Sequence, residues 1–320
     1  MAAAVESMAW AGETPWHGLG VKVGEDLTPA EMLVEAGLNW EVYKIPLFGE
    51  VDGVTVKADH HFIARDSDNS ILGETTENWN LVQNAEAFEL FQRWMDKSPV
   101  RIKMHTAGSL NNGKMVWGLA KLEDGFSLFG GDDVESYLLF SNPHEFGKVI
   151  DIRFTPTRVV CNNTLTMALK ANSEKDKVAT AKMTHRTPFD INRAEELVFQ
   201  AHEKLTDYKN MAEFLGSKRI ADQETLAEYA DAVFPIITKR EKSRKDLSKS
   251  AKAVLEAYDK QPGTQFAAGS WWQALNAVTF HVDHEMARTP DNRLESAWYG
   301  PGRQKKMNAV KLAVEFAEAA

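Results

Sequence analysis

Residues 100–122, VRIKMHTAGSLNNGKMVWGLAKL, decide the fold class of this chain. Apolar and polar side chains alternate over Val100–Thr106 and again over Met115–Leu122, which is the period-two pattern of half-buried strands. Between the two segments, Asn111-Asn112-Gly113 supplies residues that tolerate the positive φ of a tight turn. The stretch therefore predicts an antiparallel β-hairpin.

The same alternation extends to both sides of the hairpin. It predicts further strands over Trp40–Phe48, Val54–Arg65, Glu135–Phe140 and Val149–Thr155. Two helices accompany these strands. The first is expected over Pro29–Leu38, with Thr28 as its N-cap, and the second over Glu86–Asp96, where Phe88, Phe91 and Met95 form an apolar stripe.

After Pro188 the pattern changes to helical spacing, with helices predicted over residues 192–216, 222–233, 247–258, 266–285 and 306–319. Strands followed by helices indicate the α+β class: an antiparallel strand-rich N-terminal part with flanking helices, then a helical C-terminal part. We expect residues 1–190 to form the strand-rich domain and residues 191–320 a helical region packed on it or linked to it.

The composition is that of an ordinary globular protein. The chain has 320 residues, 43% hydrophobic and 26% charged, which excludes disordered and fibrous classes. Its one cysteine, Cys161, cannot form an internal disulfide. We find neither an apolar run long enough to cross a membrane nor a secretion signal, so we expect a cytoplasmic protein without a membrane partner.

The net charge of -9 is unevenly distributed. Residues 1–190 contain 18 basic and 27 acidic side chains, whereas residues 191–320 contain 19 of each. Within the acidic half, Lys148–Arg186 holds eight basic against three acidic side chains, and Lys239–Lys252 is a second basic island. Such islands are typical of phosphate-binding surfaces, and equally of solvated helix faces.

The segment Arg153–Lys170 is the main candidate binding site. It predicts a strand, then a helix capped by Asn162 or Asn163, whose free amides would attract phosphate beside the arginines. The alternative is that the asparagines only cap and the arginines pair with acids of the sheet. The candidate nucleic-acid contacts are Arg153, Arg158, Asn162, Asn163, Thr164, Lys170, Lys182 and Arg186.

Catalytic and metal motifs are weak, so we predict no enzyme and no cofactor. Gly108–Met115 has the spacing of a phosphate loop but lacks its final Ser or Thr and lies between two strands. His281 and His284 are one helical turn apart, which is two ligands where zinc needs three or four; we predict no metal, although the pair leaves that question open. Trp271-Trp272 and Trp298-Tyr299 could stack on bases or pack between helices.

Four segments carry a resemblance to a known family: Pro15–Gly20 (PWHGLG), Trp79–Asn84 (WNLVQN), Arg158–Leu165 (RVVCNNTL) and Asn276–His284 (NAVTFHVDH). In this order they resemble the phage/plasmid-like protein family, a domain-of-unknown-function family carried by bacteriophages and mobile elements. The resemblance implies a mobile-element origin and a bacterial host cytoplasm, without an established activity. The architecture is also similar to that of RecT-like single-strand annealing proteins of phage recombination.

We therefore expect a non-enzymatic, homo-oligomeric protein of phage or mobile-element DNA metabolism that binds single-stranded nucleic acid. The alternative is a protein-binding modulator of a host factor, acting in anti-defence or host takeover. An acidic surface would favour that alternative by speeding association with a basic partner.

Overall fold

The computed structural model describes residues 5–12, 19–158, 163–164, 181–236, 247–286 and 296–319, and for residues 158, 163–164, 181–182 and 193–204 the backbone alone. The protein belongs to the α+β class, as the sequence predicts. The strands are β1 (Val5–Trp10), β2 (Val21–Lys22), β3 (Val42–Val51), β4 (Val54–Arg65), β5 (Ile71–Thr76), β6 (Ile102–Leu110), β7 (Met115–Leu128), β8 (Asp132–Pro143), β9 (Ile150–Arg158), β10 (Asn163–Thr164) and β11 (Ala181–Met183).

The described helices lie mainly in the second half of the chain. They are α1 (Pro29–Glu35), α2 (Asn84–Lys97), α3 (Ile191–Ser217), α4 (Gln223–Val233), α5 (Lys249–Lys260), α6 (Trp271–Phe280), a π-helical turn (His281–Glu285) and α7 (Pro301–Ala319). Each predicted helix of this half is present with shifted ends. Among the described residues, no helix has both the length and the apolar character needed to cross a membrane.

The larger sheet has the order β10-β9-β8-β7-β6-β1-β2, and β11 pairs with β9. The predicted hairpin forms its centre: β6 and β7 pair antiparallel, with Leu110 opposite Met115. Asn111, Asn112 and Gly113 adopt φ values of 56°, 57° and 83°, the left-handed region that such a turn needs. The phosphate-loop spacing is therefore a β-turn.

Helix α2 packs on this sheet through a buried stripe of aromatic side chains. Phe88 and Phe91 are buried as predicted, and Trp94 rather than Met95 completes the stripe. A Cβ at Gly118 would lie 2.6 Å from the Phe91 ring, so only glycine allows this approach. The capping box at the start of α1 is also present, since the Thr28 hydroxyl accepts from the Glu31 amide.

Strands β3, β4 and β5 form a separate antiparallel sheet. Strand β4 begins and ends at the predicted residues. The period-two pattern does not predict β1, β2, β5, β10 or β11. In β1, Met8, Ala9 and Trp10 are all buried, so the strand lacks the alternation that would have revealed it.

The chain divides into two compact units. Of the described residues, the first unit holds those within 1–123, 137–154 and 169–202, and the second holds those within 124–136, 155–168 and 203–320. In the second unit the adjacent Trp271 and Trp272 are both buried. Trp271 packs edge-on against Tyr229, whereas the Trp272 indole donates to Asp132 at 2.9 Å. The two side chains pack against different neighbours in the interior, so neither is available to stack on bases.

Candidate functional site

The first residue of the predicted phosphate site, Arg153, is buried rather than open to a ligand. Arg153 lies on β9 with its side chain buried, and it forms an ion pair with the equally buried Asp151. The alternative in which an arginine pairs with an acid of the sheet therefore describes Arg153. A guanidinium held by a buried carboxylate is a poor phosphate contact, because a ligand would have to displace that carboxylate.

The predicted helix cap is also wrong at Asn163. Asn163 and Thr164 form strand β10 and pair antiparallel with Arg158 and Thr157 of β9. Asparagine is a preferred N-cap residue, but strand pairing overrides that preference at Asn163.

The other candidate contacts are only partly described. Arg186 is exposed in the turn after β11, and the backbone of Lys182 lies opposite that of Asp151. Asn162 and Lys170 lie outside the described residues, and for Arg158, Asn163, Thr164 and Lys182 the backbone alone is described. A phosphate-binding role for these residues stays a prediction.

A polar cleft of about 420 Å³ lies beside β1 and the end of β4. Its cation is Arg65, whose Nη2 lies 2.6 Å from Glu6 and 2.7 Å from Asp68. These partners raise the pKa of Arg65 above its ordinary value through hydrogen bonds to Asp68 and then Glu6. The charge is compensated within the protein, so the cleft does not present an anion site.

The strongest surface feature is the distal β3–β4 hairpin, Phe48–Lys57, which we call the arm. Its apolar side chains are largely in solvent: Phe48 is 59% exposed, Val51 61%, Val54 63% and Val56 48%. The arm ends in a two-residue turn, Asp52-Gly53, with φ values of 50° and 77°. The alternation predicts the strands but not this exposure, which depends on which other parts of the chain pack nearby.

The register assigns the arm side chains to two faces. Val51 lies opposite Val54 and Gly49 opposite Val56, so the three valines share one face. Glu50 lies opposite Thr55 and Phe48 opposite Lys57 on the other face. One face of the arm is therefore apolar throughout and exposed to water.

A comparison with family models matches residues 71–298 to a domain of unknown function, DUF932. The chain belongs to the DUF932 family. No match was found among curated proteins or among solved structures. The matched segment of the DUF932 chain contains Trp79–Asn84 and Asn276–His284 and begins after the arm.

In this DUF932 protein, the Trp79–Asn84 segment joins distant parts of the first unit. The Trp79 ring stacks on His185 with centroids 4.2 Å apart and planes at 9°. Asn80 donates from its side-chain amide to the His185 carbonyl at 2.9 Å, and the His185 Nδ1–H donates back to the Asn80 carbonyl at 2.9 Å. The first half of the segment therefore fixes a residue 105 positions away.

The second half of the segment binds backbone groups. Gln83 accepts from the Val42 amide at 2.9 Å and donates to the Val42 carbonyl at 2.8 Å, so its side chain imitates a neighbouring strand. Asn84 donates to the Leu38 carbonyl at 3.0 Å and accepts from the buried His144 Nε2 at the same distance. Burial lowers the pKa of His144 to about 3. This family motif has a structural role.

The Asn276–His284 segment runs from α6 into the π-helical turn of the second unit. His281 lies 2.8 Å from Glu285, and His284 packs on Phe280. The buried Asp283 accepts from the buried Lys306 at 2.7 Å, and burial lowers the pKa of that lysine. In the part of the chain that the structure describes, no three His, Cys, Asp or Glu side chains are grouped to hold a metal.

Proposed function

We propose that this DUF932 protein is a non-enzymatic binding protein that holds a partner protein on the apolar face of its arm. The observation that carries the proposal is the exposure of Val51, Val54 and Val56 together on one face. Contiguous exposed apolar side chains mark interaction surfaces, and burying one valine contributes about 1.5 kcal/mol or more.

The isolation of the arm supports the same proposal. Strand β5 pairs with β4 only from His60 onward, so among the residues that the structure describes the arm is a two-stranded ribbon. Two-stranded ribbons are marginally stable in water, and a third strand or a packing surface stabilises them. A bound partner would supply that surface.

Charge favours a different protein over a second copy as the partner. Glu50, Asp52 and Asp59 surround the arm against the single cation Lys57, within a chain of net charge -9. Two such arms would repel each other, whereas a partner with basic residues around an apolar patch would be attracted. The proposed partner is therefore a basic protein, and the resemblance to phage and plasmid proteins supports a host factor.

The test is arm-dependent capture followed by a binding measurement. The triple variant Val51→Thr, Val54→Thr and Val56→Thr keeps β-branched side chains but makes the face polar. Its matched control is Val21→Thr with Val34→Thr, since these valines are exposed outside the arm. The baits are incubated with nuclease-treated bacterial lysate, and a protein retained by wild type and control is identified and purified.

Calorimetric titration of the purified partner then decides the proposal. We expect the arm variant to bind about tenfold more weakly or worse, and the control to bind as wild type does. Equal affinity of all three proteins would refute the arm as the binding surface. Self-association that depends on the arm, measured by light scattering, would refute the basic partner and indicate a second copy.

The nucleic-acid hypothesis is tested on the same samples with single-stranded poly(dT). An acidic arm repels a polyanion, so binding would have to occur elsewhere, through Arg186 and the residues whose side chains are not described. Steeply salt-dependent poly(dT) binding that Arg186→Ala weakens, together with no arm-dependent protein partner, would favour nucleic acid over the proposed function.

A further inference from the structure

The arm has open backbone edges as well as an apolar face. Val42 directs its amide and carbonyl away from β4, because both bond to Gln83. Backbone groups point to alternate sides along a strand, so Phe48 and Glu50 of β3 also direct theirs away from β4. In an antiparallel pair, the residue opposite such a position points outward as well. Thr55, opposite Glu50, and Lys57, opposite Phe48, therefore direct their amides and carbonyls away from β3. Within the described residues, no strand pairs with the edge of β4 that faces away from β3 at Thr55–Lys57.

Other parts of the edges of this small sheet are protected. Gln83 occupies the edge of β3 at Val42, and Pro46 removes one outward amide further along the same edge. Strand β5 covers β4 from His60 to Ala64. Proteins usually block open edges by such means. The arm is left open at Phe48 and Glu50 on the β3 edge and at Thr55 and Lys57 on the β4 edge, and the β4 edge is the one that lies in line with β5.

We propose that the arm binds its partner by strand addition: an extended segment of the partner pairs with β4 at Thr55 and Lys57. This inference rests on the proposed function and specifies its mode of binding. The added strand would lie beside β4 in line with β5, which ends at Thr76, and would be the third strand of the arm. Every second side chain of the added strand would then lie beside the valine face.

The charges at the two ends of the edge specify the added segment. Asp52 lies at the tip of the arm and Asp59 at its base, on either side of Thr55–Lys57. A short run of β-branched residues with a lysine or arginine at each end complements this arrangement. A nucleic acid would not fit, because it has no strand-forming amides and carries negative charge.

The experiment uses the full chain and two synthetic peptides. The first peptide is Lys-Val-Thr-Val-Thr-Val-Lys, and the second is the same peptide with alternate amides N-methylated, which removes its outward donors on one edge. Hydrogen exchange of individual backbone amides is followed by NMR. We expect the first peptide to slow exchange at the Thr55 and Lys57 amides by about tenfold or more, and the methylated peptide to have no such effect. The Val54 and Val56 amides, which face β3, are the internal reference.

The outcomes separate this inference from the proposed function. If neither peptide protects Thr55 and Lys57 while the purified partner still depends on the valines, strand addition is wrong and the proposed function stands. Equal protection by both peptides would also overturn strand addition, because contact with the valine face would then suffice. Protection by the first peptide without any arm-dependent partner would support the mode of binding and leave the proposed function contradicted.

Discussion

The role of a charged side chain in this protein depends on whether it is buried, as two buried ion pairs show. The sequence makes Arg153 a candidate phosphate contact because it lies just before the predicted helix start, yet its side chain is buried with that of Asp151. Lys306 and Asp283 form a second buried pair, joining α7 to the π-helical turn. Breaking such pairs leaves an uncompensated buried charge, so these residues contribute to the integrity of the fold.

Replacing Arg153 should therefore affect stability first. We expect Arg153→Ala to lower the free energy of unfolding by about 3–5 kcal/mol, because Asp151 would remain buried without its partner. Urea denaturation measures this change. The control Arg186→Ala, at an exposed position, should stay within about 0.5 kcal/mol of wild type. Unchanged stability of Arg153→Ala with lost poly(dT) binding would restore Arg153 as a phosphate contact.

The buried histidines predict a loss of stability in acid. Burial lowers the pKa of both His144 and His185, so below about pH 6.5 the unfolded chain binds protons that the native protein does not. Stability should fall as the pH decreases from about 6.5 towards 4.5, by up to about 1.4 kcal/mol per pH unit for each histidine.

Urea midpoints across this pH range measure the effect. The variant His144→Gln keeps an amide donor for Asn84 and removes the titrating ring, so its stability should depend less on pH than that of wild type. Identical pH profiles for His144→Gln and wild type would contradict the role of the buried ring.

At the scale of elements, a close approach joins the β7–β8 turn to helix α3 within the second unit. Phe129 has a φ of 47°, and its ring lies so near Gly216 that a Cβ there would be 2.1 Å from a ring atom. Gly216 therefore has a packing role inside a helix, a position where glycine is otherwise unfavourable. The aromatic turn residue and the glycine determine how closely these two elements pack.

The variant Gly216→Ala tests this packing. Alanine in a helix is normally about 1 kcal/mol more favourable than glycine, but here the methyl group meets the Phe129 ring and should destabilise by about 1–3 kcal/mol. In a Phe129→Ala background the same change should become neutral or stabilising. A double-mutant cycle from thermal or urea unfolding gives the coupling, and additive effects would argue against the contact.

The whole molecule combines an acidic chain with an exposed apolar arm. In the proposed function, the net charge of -9 would oppose the association of two arms and would attract a basic partner. The family match covers residues 71–298 and does not include the arm. The motifs inside that match, Trp79–Asn84 and Asn276–His284, hold the fold together through hydrogen bonds and buried pairs.

This charge arrangement predicts salt-dependent association. The rate of association with the basic partner should decrease as ionic strength rises, because screening weakens the attraction of Glu50, Asp52 and Asp59. The variant Glu50→Gln, Asp52→Asn and Asp59→Asn should associate more slowly at low salt and lose much of the salt dependence. Stopped-flow kinetics measures both, and an unchanged salt dependence in the variant would place the relevant charges elsewhere.

Sequence alone predicted the α+β class, the helical second half, the turn at Asn111–Gly113 and the bounds of β4. These features depend on local physics: side-chain alternation, capping preference and tolerance of positive φ act over a few neighbouring residues. The basic segment showed where charge was concentrated, but not whether that charge was solvated.

Only the tertiary structure decided the roles of those side chains. Strand β1 pairs with β6 about a hundred positions away, Asn163 lies in a strand beside Arg158, and Arg153 is neutralised by Asp151. The exposure of the arm likewise follows from where β5 stops pairing with β4. Burial, pairing and exposure arise from contacts between residues far apart along the chain, so no local pattern could reveal them.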